Sequence, residues 1–595
     1  MVRRIFAYVL TLLGIVFAAS IAASVVLYML VGGQPAVPDD ATLVLRVGGA
    51  LSETSPDDVL SYVSGSRTPT LRTTVDTLRK AKVDDRIKAV LLKPTGFATP
   101  YWGKVQEIRD AVLDFRESGK PVFAYLEYGG DQDYYLASAA DKVYLMPSSP
   151  LHLVGVASYE LFLRGTLDWA GAYPDLHHIG AYKSAPNQFT EKTLTATHRE
   201  MTTSLNHDLY ESIVATVATA RNKSAADVRT LIDLGPFLPE AALGAGLVDG
   251  VAYEDQVSDE LRKASGGDAG PSARAIVEGE QYAQVSLASL GLNRGPRIAV
   301  VYAAGAIVNG KSGFDPVNGA VLGSDTLIEH IREARRDASV RAIVLRIDSP
   351  GGSATASDAV WRELMREKAG LNPRPIVASM SDLAASGGYY IAMPADVIVA
   401  QPSTLTGSIG IFGGKFVTGG VYGKLGANIE TTSIGRHAEM NSPARPYNPD
   451  ELGKLQEQLR DFYNDFIEKA AVSRKSTPEK IDQLAQGRVW TGNQAKANGL
   501  VDELGGLGRA IAIAKARAKI DEKSDVEVVV YPPPRSFYEL LSEQLSPSSQ
   551  GIAVSAWLSA NLSTAERDAL RAFRGPFSMF RRGEALALMP FALLR

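Results

Sequence analysis

Four short stretches of this 595-residue chain carry residues from which nucleophilic chemistry could be built. Ser386 lies in "MSDLAASGGYYIAM", between small residues and just before a glycine pair. Small flanks permit a tight turn with an exposed hydroxyl and free backbone amides. Gly351 and Gly352 follow an apolar run directly in "AIVLRIDSPGGSA". Consecutive glycine amides at a strand end can donate to a developing oxyanion. Lys183 lies in "IGAYKSAP", among apolar and small neighbours. A buried lysine can act as a base, because desolvation lowers its pKa towards neutrality. Such an amine takes the serine proton and returns it to a leaving amine, the serine–lysine form of acyl transfer. Ser408, in "LTGSIG", is suited to hold the neutral amine in line.

Competing chemistries must be weighed. With no cysteine, thiolate nucleophiles, disulfides and thiolate metal sites are excluded. Of the seven histidines, His437 alone aligns near a candidate site and is an alternative base. His177 and His178 form a pair without metal-ligand spacing. No cofactor is called for. "GAIVNGKS", Gly305 to Ser312, fits the phosphate-loop pattern, and the acid closing "AIVLRID" could pass for a metal-holding residue. But "GFDPVNGAVLG" follows, which is poor helix material. A true phosphate loop feeds a helix, so Lys311 reads as a solvated loop lysine.

The candidates lie in two halves of a duplicated chain. "YYLASAADKVYLMPSSPLHLVG" begins at Tyr134, and "YYIAMPADVIVAQPSTLTGSIG" begins 255 positions later at Tyr389. The two share the tyrosine pair, Ala137/Ala392, Ala140/Ala395, Asp141/Asp396, Pro147/Pro402 and Ser148/Ser403. "GLVD" recurs downstream, and "DRIKAVLLKPTGF" upstream resembles "ASVRAIVLRIDSPGG". A repeat this long is a tandem domain duplication rather than a solenoid. At the shared offset Ser386 faces Asp131, Ser408 faces Leu153 and Lys183 faces Ala438. The first copy also has "KPTGFATP" in place of the paired glycines. Serines and glycines therefore come from one copy and the lysine from the other, which together make one site.

Within each copy, β-branched runs such as "AIVLRI", "PIVAS" and "DVIVA" alternate with amphipathic stretches such as "SDTLIEHIREARRD". This predicts an α/β layered fold with mainly parallel pairing. The expected organisation is an anchor at 1–33, a linker at 34–41, a first repeat at 42–290, a second repeat at 296–530 and a tail at 531–595. After Arg3 and Arg4 no charge occurs from Ile5 to Gly33, which is long enough to span a bilayer. We expect residues 5–32 to contact lipid as an uncleaved single pass, with the rest of the chain on the non-cytoplasmic side. A net charge of −4 gives no argument for nucleic acid as a partner. The tail, with "FRGPFSMFRRGEALALMPFALL", is suited either to anionic lipid or to docking on its own globule.

These motifs resemble the signal peptide peptidase A family in its long, duplicated, membrane-anchored form. The resemblance rests on "RIDSPGGSATAS", "AASGGYY", "PSTLTGSIGIFG", "GAYKSA" and "RVWTGNQAKANGLVD", and covers roughly residues 5–530. It implies Ser386 as nucleophile, Lys183 as base, Ser408 bonded to that lysine, and oxyanion donors at the Gly352 and Gly387 amides. It also implies a crotonase/Clp-protease-like fold, remnant signal peptides as substrates, the outer side of the cytoplasmic membrane as location, and a homotetramer. Two other functions use parts of the same sequence. A crotonase-like acyl-thioester hydrolase or isomerase would need the oxyanion glycines but neither Ser386 nor an anchor. A non-catalytic membrane scaffold would need none of them.

Overall fold

The computed structural model describes residue 14, residues 37–54, 69–266, 275–315, 319–370, 373–533 and 580, and residues 583–590 and 593–594. The expected anchor at 5–32 lies outside the described residues but for Gly14. Among the described residues no helix is long and apolar enough to cross a membrane.

The apolar runs of the first half form a six-stranded sheet. Its order is Gly250–Val251, Lys142–Leu145, Val122–Leu126, Ile87–Phe97, Ala41–Gly49 and Ile276–Glu278, with every neighbour parallel. The central strands are buried along nearly their whole length, as parallel sheets covered by helices require. One covering helix, Leu71–Val83, starts where the Thr70 side chain accepts the Thr73 amide. Another, Gly103–Arg116, reaches the second half with its first turn.

The second half repeats the plan. Glu527–Tyr531, Arg297–Ala304, Val340–Ser349 and Ile376–Ala385 run parallel, followed by Val397–Ala400 and Leu405–Gly407, which both pair with Ile376–Ala385. Val489–Thr491 closes the sheet as its antiparallel strand. The duplication is visible in single hydrogen bonds. Tyr134 Oη donates to the Leu247 carbonyl at 2.6 Å, and Tyr389 Oη donates to the Leu500 carbonyl at 3.1 Å. Asp249 takes the Val143 amide and Arg221; Asp502 takes the Ile398 amide and Arg474. The two tyrosine hydroxyls are buried and must be satisfied in both copies, so both copies keep them and the aspartate contacts beside them.

A third, mixed sheet joins the halves. It runs Gly313–Asp315, Gly319–Gly323, Ala306–Val308, Gly351–Ser353, Leu586–Leu588, Ile411–Val417 and Tyr173–Ile179. Its last strand comes from the first half, antiparallel to Ile411–Val417 with Ile179 opposite Ile411. Leu586–Leu588 comes from the C-terminal tail, and this part of the tail docks on its own globule. "GAIVNGKS" forms the short strand Ala306–Val308 and a turn that enters the strand Gly313–Asp315 rather than a helix, so the phosphate-loop pattern lacks its structure.

Buried charge also crosses between the halves. Arg346, fully buried, donates from Nε and Nη2 to the Glu53 carboxylate at 3.0 and 2.8 Å and from Nη2 to Glu107 at 2.8 Å. Ser379 accepts from Nη1 at 3.0 Å, and Ser381 Oγ shares Nη2 at 3.1 Å. Burial disfavours the Glu53 carboxylate, but Arg346, with Lys104 and Ser381, outweighs that effect and holds its pKa below the ordinary value.

Candidate active site

The strand Ile376–Ala385 delivers Ser386 at its end, where the chain turns into the helix Gly387–Ala392. At φ 55° and ψ −112°, Ser386 occupies a backbone conformation that a non-glycine residue holds only when its surroundings enforce it. The enforcement is local. The Ser386 amide donates to Gly407 O at 2.7 Å, and the Tyr390 amide donates to Ser386 O at 2.8 Å. Thr404 and Thr406 stitch the neighbouring strand to the Ser381 and Ala384 carbonyls at 2.6 and 2.7 Å.

Lys183 arrives from the first half. The strand Tyr173–Ile179 carries the chain along Ile411–Val417, and the next residues cross the turn at 486–487. There the Tyr182 amide donates to Gln486 O at 2.8 Å. Gly487, at φ +79°, allows the approach: a Cβ on it would lie 2.5 Å from Lys183 Cα.

Lys183 Nζ is hydrogen-bonded to Ser386 Oγ at 2.8 Å, to Ser408 Oγ at 3.1 Å and to Ser408 O at 3.1 Å, all within one chain. Lys183 is 1% exposed, and both serines are fully buried. Burial is the cause that drives its pKa well below that of an ordinary lysine. Burial thus favours the neutral amine, the form that can accept a proton from Oγ. Ser408 is itself held at φ 50°, with its amide donating to Arg488 O at 2.7 Å.

The paired glycines close the same space. A Cβ on Gly387 would lie 3.1 Å from the Gly352 nitrogen, which brings the two expected oxyanion amides side by side. A Cβ on Gly352 would lie 2.1 Å from Ile307 O, so the strand accepts only glycine there. All five residues singled out in the sequence thus converge. His437 does not: its Nε2 is 2.6 Å from Asp450 in a half-exposed cluster with Arg436. In the first copy, Asp131 replaces the serine and accepts the Val154 and Gly155 amides at 2.9 and 3.0 Å, a purely structural use of the same turn.

Sequence reasoning missed the support behind Ser386. Lys104 Nζ bonds Asp348 at 2.7 Å and lies 3.2 Å from Asp382. Asp382 also accepts the Lys104 amide at 2.9 Å, and Asp348 accepts the Leu383 amide at 3.2 Å. Burial, with Asp348 adding to it, raises the Asp382 pKa to about 6 against the pull of Lys104. Burial works against the charged Lys104 amine, but the two aspartates prevail and raise its pKa. Asp348 thus holds a lysine, and among the described residues no cluster of three or more ligating side chains could hold a metal. The only sequence signal was the acid ending "AIVLRID".

The model of peptidase family S49 matches residues 114–267 and 371–521, once in each half. The chloroplastic serine protease SPPA of Arabidopsis thaliana is 38% identical over 452 residues, 76% of this chain and 66% of that protein, just under two thirds of its length. Protease 4 of Salmonella typhi is 35% identical over 519 residues, 84% of this chain and 82% of that protein. Among solved structures, a ClpP1 mutant from Listeria monocytogenes is 13% identical, with 36% of this chain and 94% of that chain covered and a TM-score of 0.23. The molecule is a serine protease made from a duplicated, mixed α/β unit. It belongs to peptidase family S49, in the signal peptide peptidase A group. The thioester and scaffold readings fall with that assignment.

Proposed function

We propose that this protease works through a Ser386–Lys183 dyad. The observation that carries the reading is the 2.8 Å contact between Nζ and Oγ at an amine whose pKa burial drives down. Neutral Lys183 takes the Ser386 proton as Oγ attacks the scissile carbonyl. The Gly352 and Gly387 amides receive the oxyanion. The ammonium then protonates the leaving amine, and the ester on Ser386 is hydrolysed by water activated by the same amine. Ser408 keeps Nζ directed at Oγ.

The substrates are remnant signal peptides or similar apolar peptides. Apolar side chains beside the dyad support this: Ala185, Phe412, Met201, Leu405 and Val489 are all buried around it. Each repeat is a crotonase/Clp-protease-like unit, with boundaries near 42–290 and 296–530, a reading that the parallel sheets support. Residues 5–32 anchor the chain in the cytoplasmic membrane with the catalytic part outside the cytoplasm, and the chain assembles as a homotetramer. The uncharged run and the preceding arginines support the anchor.

The test is labelling with a serine-directed probe, with the adduct located by mass spectrometry. Labelling at Ser386 in the wild type, and its loss in Ser386→Ala and Lys183→Ala proteins of unchanged circular dichroism, is the expected result. Full labelling of Lys183→Ala would remove Lys183 as base.

A further inference from the structure

The C-terminal strand raises a question that the dyad alone does not answer. Leu586–Leu588 lies between the glycine strand Gly351–Ser353 and the strand Ile411–Val417, antiparallel to both. Without it, both neighbours would present unpaired edges, an open slot of the kind an extended peptide fills by adding a strand.

The register is specific. Gly351 faces Leu588, Gly352 faces Ala587 and Ser353 faces Leu586. On either side, the Met589 amide donates to Pro350 O at 2.9 Å and the Ala354 amide donates to Ala585 O at 3.1 Å. Antiparallel pairs alternate, so the pair midway between these, Gly352 with Ala587, is also a hydrogen-bonding pair. The Gly352 amide, one of the two oxyanion candidates, is thereby directed at the Ala587 carbonyl. A second measure agrees. The point where a Cβ on Gly351 would lie is 2.1 Å from Ala587 O and 2.7 Å from the Gly387 nitrogen.

The side chains fill the apolar walls of the same space. Leu586 and Leu588 pack with Ala185, two residues from the lysine, and with Phe412. Met589 packs with Ala385, next to the serine, and with Met201, Leu405 and Val489. Residues 586–589 are at most 4% exposed. Upstream, Glu584 accepts from Asn309 at 2.6 Å and bonds Ser353. The segment "EALALM" is itself small and apolar, of the class that the dyad reading assigns to substrates.

We propose that residues 584–590 are an intramolecular peptide ligand of the active-site slot, bound as a substrate strand binds, with Ala587 at the residue whose carbonyl would be attacked. The proposal rests on Ser386 as nucleophile. Substrate must displace this strand before it can pair with Gly351–Ser353. A slot that is free about a tenth of the time lowers apparent affinity about tenfold.

The experiment compares the full chain, its mass verified, with a chain ending at residue 579, using hydrolysis of a fluorogenic apolar peptide. Truncation is expected to raise kcat/KM about tenfold or more, through KM. A synthetic peptide of residues 580–595 is expected to inhibit the truncated enzyme competitively. Ala587→Pro in the full chain removes one ladder amide and is expected to give the same gain, so the proposal remains testable if the truncated chain fails to fold. If Ser386 labels with the serine probe at one rate in all forms while KM stays unchanged or rises on release of the strand, the proposal is overturned. Absence of labelling in every form would overturn Ser386 as nucleophile instead.

Discussion

Lys183 and Ser386 lie 203 positions apart in the chain and 2.8 Å apart in space, and each comes from the copy that lacks the other residue. At the matching positions the copies carry Asp131 and Ala438. Divided in this way, the site cannot form within either repeat alone, and its geometry depends on how the repeats dock.

In the proposed dyad one proton passes between the two groups, so their losses should not add. Ser386→Ala and Lys183→Met are each expected to lower kcat/KM by at least about 10³-fold, and the double variant to be no more than about tenfold worse than either. Losses that multiply in the double variant would show independent roles.

The pH profile follows from the direction of the lysine shift. Only the neutral amine can accept the serine proton, so kcat/KM should rise with pH through the depressed pKa of Lys183 and then level off. Stability has a related slope. Between the folded pKa and the ordinary 10.5, the unfolded chain holds a proton on Lys183 that the folded chain does not. Burial of this lysine therefore costs most at low pH, and the cost fades as pH approaches 10.5. Relative to wild type, Lys183→Met should be stabilised more at pH 6 than at pH 9, read by denaturant titration at both. An equal difference at the two pH values would mean that Lys183 is not neutral in the fold.

Ser408→Ala removes one of the three contacts to Nζ and leaves the backbone carbonyl in place. Loss of about 1–3 kcal/mol corresponds to roughly a 5- to 150-fold fall in kcat. Thr or Cys at this position would separate the hydroxyl from its volume. A Ser408→Ala enzyme with wild-type kcat across the acid limb would show that the hydroxyl does not direct the amine.

Two glycines give opposite expectations. Gly487→Ala forces a Cβ to 2.5 Å from Lys183 Cα at a left-handed φ, and should lower stability by about 1–3 kcal/mol and disable the dyad. Gly453 lies inside the helix Pro449–Ser473 with open space around it, so Gly453→Ala should add about 0.5–1 kcal/mol and leave activity unchanged. Thermal melts and peptide hydrolysis check both.

Arg346→Met would leave Glu53 and Glu107 buried without their cation, at a cost of about 3–5 kcal/mol. Denaturant unfolding measures this. Since Glu53 and Glu107 belong to the first repeat, the loss should also weaken labelling of Ser386 by loosening the docking that brings Lys183 to it.

The sequence by itself determined the chemistry and the plan of the fold. Repeated identities exposed the duplication, because both copies must bury the same tyrosines and satisfy the same aspartates, as Tyr134 and Tyr389 do. Differences between the copies exposed the candidate site, because the proposed chemistry needs Ser386, Lys183, Ser408 and the two glycines only once. Alternating β-branched runs implied parallel strands, since strands covered on both faces are apolar throughout. Tertiary structure decided whatever depends on long-range docking. Local periodicity carries no information about partners hundreds of residues away. Hence the pairing of Lys104 with Asp348 and Asp382, and of Arg346 with Glu53 and Glu107, could not be read beforehand. The same holds for the tail. "EALALM" is too short and too plain to announce a strand, and it becomes one only because two open edges beside Ser386 supply its hydrogen bonds.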